Sequence, residues 1–294
     1  MSDKGTYAGP VTEHELSEMR ALIEGRSGIL FDASRERFFS ARIRSYMEHK
    51  KLTHGTDLLR LVRSSNVEYD ALLEGLLTQE TSFFRYPDVF EALEKKVLPE
   101  LHMKKFWENP RNLRLWSAGC STGEEPYSIA ITLADSLEFT EAWNIHILAT
   151  DVSKRALEYA ERGVFGRRCM ESVNPRQLEA YFAKLGDQFM VKPRIRNMVT
   201  YAPLNLAQGM YMGRFDIIFC MNVMIYFSED RRAALVQRFC EYLEPGGYLF
   251  LGHADSVNGS GTNFQTIRHG DCRYYQKPIT AATRWGEVGS EERQ

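Results

Sequence analysis

Cysteine is scarce and never closely paired. Cys120, Cys169, Cys220, Cys240 and Cys272 are widely scattered, with no C-x-x-C among them. That spacing argues against a zinc site and against a disulfide framework, and leaves free thiols in a reducing compartment. Long apolar runs are also missing. The longest, "IIFCMNVMIYF", is too short to span a bilayer and carries Asn222. The opening "MSDKGTYAGP" has no apolar core of a signal peptide. A cytoplasmic protein without membrane insertion is expected. An excess of one charge is absent too. With 37 Lys and Arg against 39 Asp and Glu, the net charge of −2 does not suit a general polyanion binder, so any basic footprint must be local. No internal repeat is present.

What is present changes character along the chain. Residues 11–78 read as helices only. Thr12 with Glu15 forms a capping box ahead of Leu16, Met19 and Ile23 at helical spacing. Gly25 and Gly28 are expected to end that helix. A second helix is expected from about Ser34 to Lys51, a third after Thr56 and a fourth after Asn66. Residues 79–95 hold a connector, "QETSFFRYP", and the start of a helix expected to bend or end near Pro99.

From 96 to 278 the pattern becomes strand, turn, helix, repeated. "LRLWSAG", "NIHILATD", "VTYAPLN", "FDIIFCMN" and "GYLFLGHAD" are short, nearly continuous apolar strands, which predicts an α/β fold with a mostly parallel, doubly wound sheet. "RYYQKP" is expected as its edge strand. At 163–198 the alternation breaks for a small inserted subdomain, with a helix over "NPRQLEAYFAKL" and a hairpin-like "QFMVKPRIRN". Residues 279–294 read as a loose tail.

The turn "WSAGCSTGEEPYS" restricts the ligand. Ligands of open parallel sheets lie beyond the carboxyl ends of the strands. A dinucleotide site would show G-x-G-x-x-G and leave bare N–H groups for a pyrophosphate. Here Gly119 and Gly123 are four apart, and the helix opens with Glu124 and Glu125. Carboxylates there suit the helix dipole, repel phosphate and attract a cation. S-adenosylmethionine carries a sulfonium and an ammonium and no phosphate. Asp151, ending the second strand, is placed to take both ribose hydroxyls. For the Glu pair alone, a solvated first turn would be the simpler reading. Beside Gly119, Gly123 and Asp151 it is not.

"TSFFR", "WSAGCSTGEEPYSIA", "ATD", "AERGVF", "PLNL", "FDIIFCMNVMIYF" and "LEPGGYLFLGH" together resemble the signature blocks of CheR-type chemotaxis methyltransferases, in order from about residue 12 to 277. The resemblance implies a class I S-adenosylmethionine-dependent fold behind an all-α recognition domain. It implies methyl transfer to glutamate side chains in the cytoplasmic domains of methyl-accepting chemotaxis receptors, with no metal and no nucleic acid. A glutamate is already ionised at pH 7, so the transfer needs no general base. It needs placement, worth roughly 7–11 kcal/mol. By resemblance, Arg85 and Tyr226 lie near the transferred methyl, and Arg85 can orient the substrate carboxylate by a forked hydrogen bond. Thr81, Arg85, Ala118, Gly119, Glu125, Asp151, Asn205, Leu206 and Asn222 are implied to bind the cofactor. Within that set Glu125 meets its amino-acid end and Asn205 and Leu206 flank adenine. The chain departs from common family patterns at Met221, at Gln79-Glu80 and in "GHADS".

Residues 35–51 hold six Lys or Arg against two Glu. Arg35 and Arg42 share one side of a helix, Arg37 and Arg44 nearly the opposite one. Such a run is usually a solvated face. The family implies that it docks on acidic receptor helices, with Arg42 and Arg44 as substrate contacts. The turn near "KLGDQF" is short, which favours an enzyme that does not grip a receptor C-terminal pentapeptide. A monomer is expected. Two other readings stay open: a methyltransferase acting on a nucleic acid or small molecule, and a cofactor-binding module without turnover.

Overall fold

A computed structural model describes residues 11–108, 111–138, 140–209 and 213–279. The expected loose tail therefore lies, beyond Ile279, outside the described residues. The described residues divide into two units: 11–78 together with Tyr226–Ser228, and Gln79–Ile225 together with 229–279.

The first unit is built on α1 (Glu13–Ser27), α2 (Glu36–Lys50), α3 (Gly55–Ser64) and α4 (Asn66–Leu76). The capping box forms: Thr12 Oγ1 accepts from the Glu15 N–H at 3.2 Å, and Glu15 Oε2 accepts from the Thr12 N–H at 2.9 Å. Gly28 ends α1 in a left-handed conformation, whereas Gly25 lies inside the helix. Only a residue past the last turn needs positive φ, so Gly28 alone is the stop. Phe39, Ile43 and Met47 bury one stripe of α2. Arg37, Arg42 and Arg44 are exposed. Arg35 is not: it precedes α2 in a short 3₁₀ turn (Ala33–Arg35) and lies half-buried.

The second unit opens with α5 (Pro87–Ala92), a π turn over Leu93–Val97, and α6 (Leu98–Lys104). Pro99 neither ends nor breaks this helix. Its ring would clash with the carbonyl four residues back, and the wider turn, in which the Leu98 N–H reaches Leu93 O, absorbs the misfit. The alternating region follows as β1 (Arg111–Ala118), α7 (Glu124–Ser136), β2 (Trp143–Asp151) and α8 (Lys154–Arg162). Next come β3 (Val164–Gly166), α9 (Pro175–Tyr181), β4 (Phe182–Leu185), β5 (Gln188–Val191), the single turn α10 (Pro193–Arg196) and β6 (Val199–Pro203). The chain continues with β7 (Phe215–Cys220), α11 (Glu229–Tyr242), β8 (Leu243–Leu251), β9 (Gln265–His269) and β10 (Cys272–Gln276).

Seven strands form one sheet in the order β6-β2-β1-β7-β8-β10-β9. The β6-β2-β1-β7-β8 part is parallel, and β10 and β9 run antiparallel. Every residue of β7 is buried, as are Leu115–Ala118 of β1, which is the pattern of a sheet covered on both faces. The mostly parallel α/β fold is thus as expected. The edge is not. β10 sits between β8 and β9, with Cys272, Tyr274 and Tyr275 buried. The true edge is the polar "QTIRH", whose lack of an apolar run hid it.

The inserted sheet also differs in detail. Its order is β3-β5-β4, and "FAKL" is a strand rather than the end of a helix. Phe182 is buried with its ring 5.4 Å from Phe83, and that burial overrides helix propensity. The β4–β5 hairpin closes through two residues, Gly186 and Asp187, with Gly186 at φ +59.

Candidate active site

From β1 the chain crosses to one side of the sheet through β2 and β6, and from β7 to the other through β8. The switch point therefore lies at the carboxyl ends of β1 and β7, where a crevice for ligand is expected. Gly119 and Asn222 stand at those two ends.

The β1 end is shaped by backbone geometry. Gly119 (φ +88) and Gly123 (φ +98) occupy left-handed conformations, and Ser121 (φ +48) joins them without being glycine. The Gly119 and Cys120 N–H groups both donate to Thr150 O, at 2.8 and 2.9 Å, which clips the turn to the end of β2. A Cβ on Gly119 would fall 2.3 Å from Val223 Cγ2, so no side chain fits there. Ala118, just before it, is fully buried.

Asp151 organises the neighbouring end. One carboxylate oxygen accepts the Ser121 N–H at 2.8 Å, the other the Ser153 N–H at 2.9 Å. The Asp151 carbonyl accepts from the Leu204 N–H at 2.9 Å, which ties the 204–206 loop to the same end. In that loop Leu206 is buried, and the Asn205 amide oxygen folds back onto the Ala207 N–H.

The two glutamates have different fates, which corrects the expectation that both serve a cation. Glu124 is only 3% exposed, and its carboxylate accepts from the Thr122 hydroxyl at 2.7 Å and from the Cys169 thiol. Burial raises its pKa. It is a structural group. Glu125 is half-buried and accepts from the Ser117 hydroxyl at 2.6 Å. Burial of its carboxyl end pushes its pKa up to about 7, against the opposing pull of the Ser117 bond and the Arg85 charge.

The connector is pinned from both sides. The Phe84 N–H donates to Ser128 Oγ at 2.9 Å, and the Phe83 ring packs 4.9 Å from Phe165. Gln79 donates to the hydroxyl of Ser153, the cap of α8, at 2.9 Å. Phe84 and Tyr86 both have positive φ, 49° and 65°, so Arg85 stands between two strained residues. Its guanidinium donates to Glu80 O at 2.6 Å and lies 5.2 Å from the Tyr86 ring. Thr81 is half-buried in the same stretch.

Tyr86 is a residue that sequence reasoning missed. Its hydroxyl accepts from Asn222 Nδ2 at 3.0 Å, and its ring meets His253 edge-on at 4.4 Å. Asn222 is itself at φ +59. Among the described residues Lys51 is the one other non-glycine with positive φ, and it caps α2. The remaining four mark the strand-end region. A signal in sequence was the aromatic directly before Pro87, but positive φ is not written in residue type.

Thus Arg85, Glu125, Asp151, Asn205, Leu206 and Asn222 all belong to the sheet unit and to its strand-end loops or the connector. Tyr226 belongs to the helical unit. There its carbonyl accepts from the Leu30 N–H at 2.7 Å, and Arg35 lies 4.6 Å from its ring. Of the basic run, Lys50 is bonded to Glu68 at 2.8 Å and Arg42 lies 5.1 Å from the Phe38 ring.

This crevice carries two fixed carboxylates and glycine-lined backbone, which suits a cationic, ribose-bearing cofactor. Comparison with known proteins agrees. Residues 79–271 match the family model "CheR methyltransferase, SAM binding domain", and residues 14–77 match "CheR methyltransferase, all-alpha domain". A chemotaxis protein methyltransferase of Borreliella burgdorferi is 33% identical over 257 residues, 85% of this chain and 90% of the relative. One from Vibrio parahaemolyticus is 33% identical over 265 residues, 88% and 94% of the two chains. Chemotaxis protein methyltransferase 1 of Pseudomonas aeruginosa is 33% identical over 257 residues, 85% and 92%. With both domains matched and the strand-end crevice in place, the chain belongs to the CheR methyltransferase family and is an S-adenosylmethionine-dependent methyltransferase.

Proposed function

We propose that the protein esterifies glutamate side chains in the cytoplasmic helices of chemoreceptors. The observation that carries this reading is the arginine of the connector. Arg85 is anchored to a carbonyl at 2.6 Å and set close enough to Glu125 to pull on its titration. A guanidinium fixed at a methyl-donor site is a fork for an incoming carboxylate, and it cannot act as a base.

When bound, S-adenosylmethionine would supply an electrophilic methyl group that a carboxylate oxygen takes by direct displacement, the methyl–sulfur bond breaking and S-adenosylhomocysteine leaving. Asp151 would hold the ribose hydroxyls, Glu125 the ammonium, and Asn205 and Leu206 the adenine. Thr81, Ala118, Gly119 and Asn222 would complete the cofactor's walls. Arg85 and the Tyr86 hydroxyl would hold the carboxylate oxygen that does not react, leaving the other free to attack. The resemblance assigns Tyr226 to the methyl or carboxylate through its phenol oxygen. No group is required to remove a proton.

The division of labour follows the domains. Residues 11–78 would recognise the receptor through Arg42 and Arg44, and residues 96–278 would bind the cofactor and perform the transfer. The two-residue β4–β5 turn supports recognition that does not depend on a receptor C-terminal pentapeptide.

Alkali decides the chemistry. The protein is incubated with methyl-labelled S-adenosylmethionine and receptor cytoplasmic fragments, and the labelled product is treated with base. Release of the label as volatile methanol is the expected outcome, because carboxyl methyl esters hydrolyse. Label that resists alkali would mean N- or C-methylation and would overturn the glutamate assignment.

A further inference from the structure

A second cavity, of about 260 Å³, opens between the end of β8 and the β9–β10 hairpin. Gly252, His253, Arg268, Asp271 and Arg273 are among its walls. Its volume falls below the roughly 300–1,000 Å³ of small-molecule sites, so it suits a side chain rather than a second nucleotide-like ligand.

The titratable side chains that line it are mostly basic. Two guanidinium groups and an imidazole line the cavity with a single carboxylate, Asp271. The hairpin register sets Arg268 directly opposite Arg273. Like charges in that relation destabilise an antiparallel pair. Arg273 is anchored, donating to Asp255 O at 2.7 Å. Arg268 is exposed and enters no ion pair among the described residues. Two further acids stand at its walls, since Asp88 accepts the Asp271 N–H at 3.3 Å and the Asp255 carboxylate is buried behind Gly252, but neither pairs with Arg268. Glu91 is bonded to Lys95 at 2.5 Å and lies 3.8 Å from His269. An incoming carboxylate would relieve the arginine pair.

The cavity adjoins the transfer site. The His253 ring is 4.4 Å from that of Tyr86, and a Cβ on Gly252 would lie 3.0 Å from the Asn222 nitrogen. A helix that presents one glutamate to Arg85 and Tyr86 can therefore offer a neighbouring acidic side chain to Arg268 and Arg273.

We propose that this cavity is a subsite for an acidic side chain of the substrate protein, flanking the glutamate that is methylated. It would help to select which glutamate is presented. The proposal rests on the receptor-glutamate reading above.

The test measures the Kd of a receptor cytoplasmic fragment for the enzyme loaded with S-adenosylhomocysteine. Wild type is compared with Arg268→Ala, Arg268→Glu and, as a charge control on an exposed residue elsewhere, Lys96→Glu. Thermal melts verify folding of each. Arg268→Ala should weaken binding roughly 3–10-fold and Arg268→Glu more, with Lys96→Glu and the affinity for S-adenosylhomocysteine unchanged. Substituting lysine at one acidic receptor position, other than the methylated one, should restore binding to Arg268→Glu. Wild-type affinity in both Arg268 variants would overturn the subsite, as would an equal loss in Lys96→Glu. Excess glutarate is a further arm. Competition with the receptor supports the proposal, whereas glutarate bound at Arg268 without competition would make the cavity a small-anion site and overturn it. If wild type yields alkali-labile label while the Arg268 variants bind normally, only the subsite fails. If wild type yields no such label, the receptor-glutamate reading fails and takes the subsite with it.

Discussion

At the scale of single side chains, Glu125 and Tyr86 are residues on which the proposed reaction depends. With its pKa at about 7, Glu125 in the free protein holds a proton that an exposed glutamate of pKa 4.5 would have lost. The folded state therefore binds the extra proton between pH 4.5 and 7. The stability this group contributes is full below 4.5 and is lost as pH rises through 7. A cationic cofactor prefers the ionised form, so its affinity should climb with pH to a plateau just above 7. Calorimetric titration from pH 5.5 to 8.5 checks this, and Glu125→Gln should flatten the profile. Asp151→Ala removes the acceptor for two backbone N–H groups as well as the proposed ribose contact. At about 1.5–3 kcal/mol for a charge-assisted hydrogen bond, cofactor affinity should fall roughly 10–100-fold, readable as an S-adenosylhomocysteine Kd. Tyr86→Phe keeps the ring against His253 and removes the hydroxyl alone. Donors to a carboxylate that is losing its charge bind the ground state more tightly than the transition state. KM for the receptor should rise roughly 3–10-fold, with kcat unchanged or slightly higher, in steady-state methylation assays.

At the scale of elements, the basic helix α2 divides its charges by burial. The Phe39–Ile43–Met47 stripe turns inward, leaving Arg37, Arg42 and Arg44 exposed on its flanks. Arg20 is bonded to Glu36, so one of the two acids in the run is already neutralised. Three exposed arginines with a paired acid are suited to steering an acidic helix. Arg42→Glu with Arg44→Glu should lower kcat/KM for the receptor on the order of tenfold at low salt, and the loss should shrink at 1 M salt, where screening is nearly complete. Cofactor affinity should not change. The same element scale shows where local signals mislead. The capping box at Thr12 and the strand-turn-helix order were plain in sequence because they are set by neighbours a few residues apart. "FAKL" and "QTIRH" were not: the first became a strand where Phe182 packs on the distant Phe83, and the second pairs in a hairpin with β10 without an apolar pattern of its own to announce it.

For the whole molecule, the proposed function gives the two units different ligands. A ligand that binds only the folded sheet unit stabilises it by mass action, by about 2.7 kcal/mol at a hundredfold excess over Kd. Saturating S-adenosylhomocysteine should raise the melting transition of that unit in calorimetry. In Asp151→Ala the same concentration should give a much smaller rise. An equal rise in both proteins would remove Asp151 from the cofactor site.

The sequence alone was enough for the α/β class, the helical leader, the methyl-donor turn and the family, because glycine spacing, strand-end carboxylates and apolar periodicity are local and survive without coordinates. Asp151 and Glu125 were named on that basis, and Arg85 through the family resemblance. Only the tertiary structure separated Glu124 from Glu125, since the burial of Glu124 beside Cys169 depends on packing from another element. It also brought Tyr86 to Asn222 and His253, and set Arg268 across from Arg273 beside a cavity. Those pairings join residues 136, 167 and 5 positions apart. The first two depend on sheet order, which no short stretch of the chain encodes, and the third on the register of a hairpin closed by two residues.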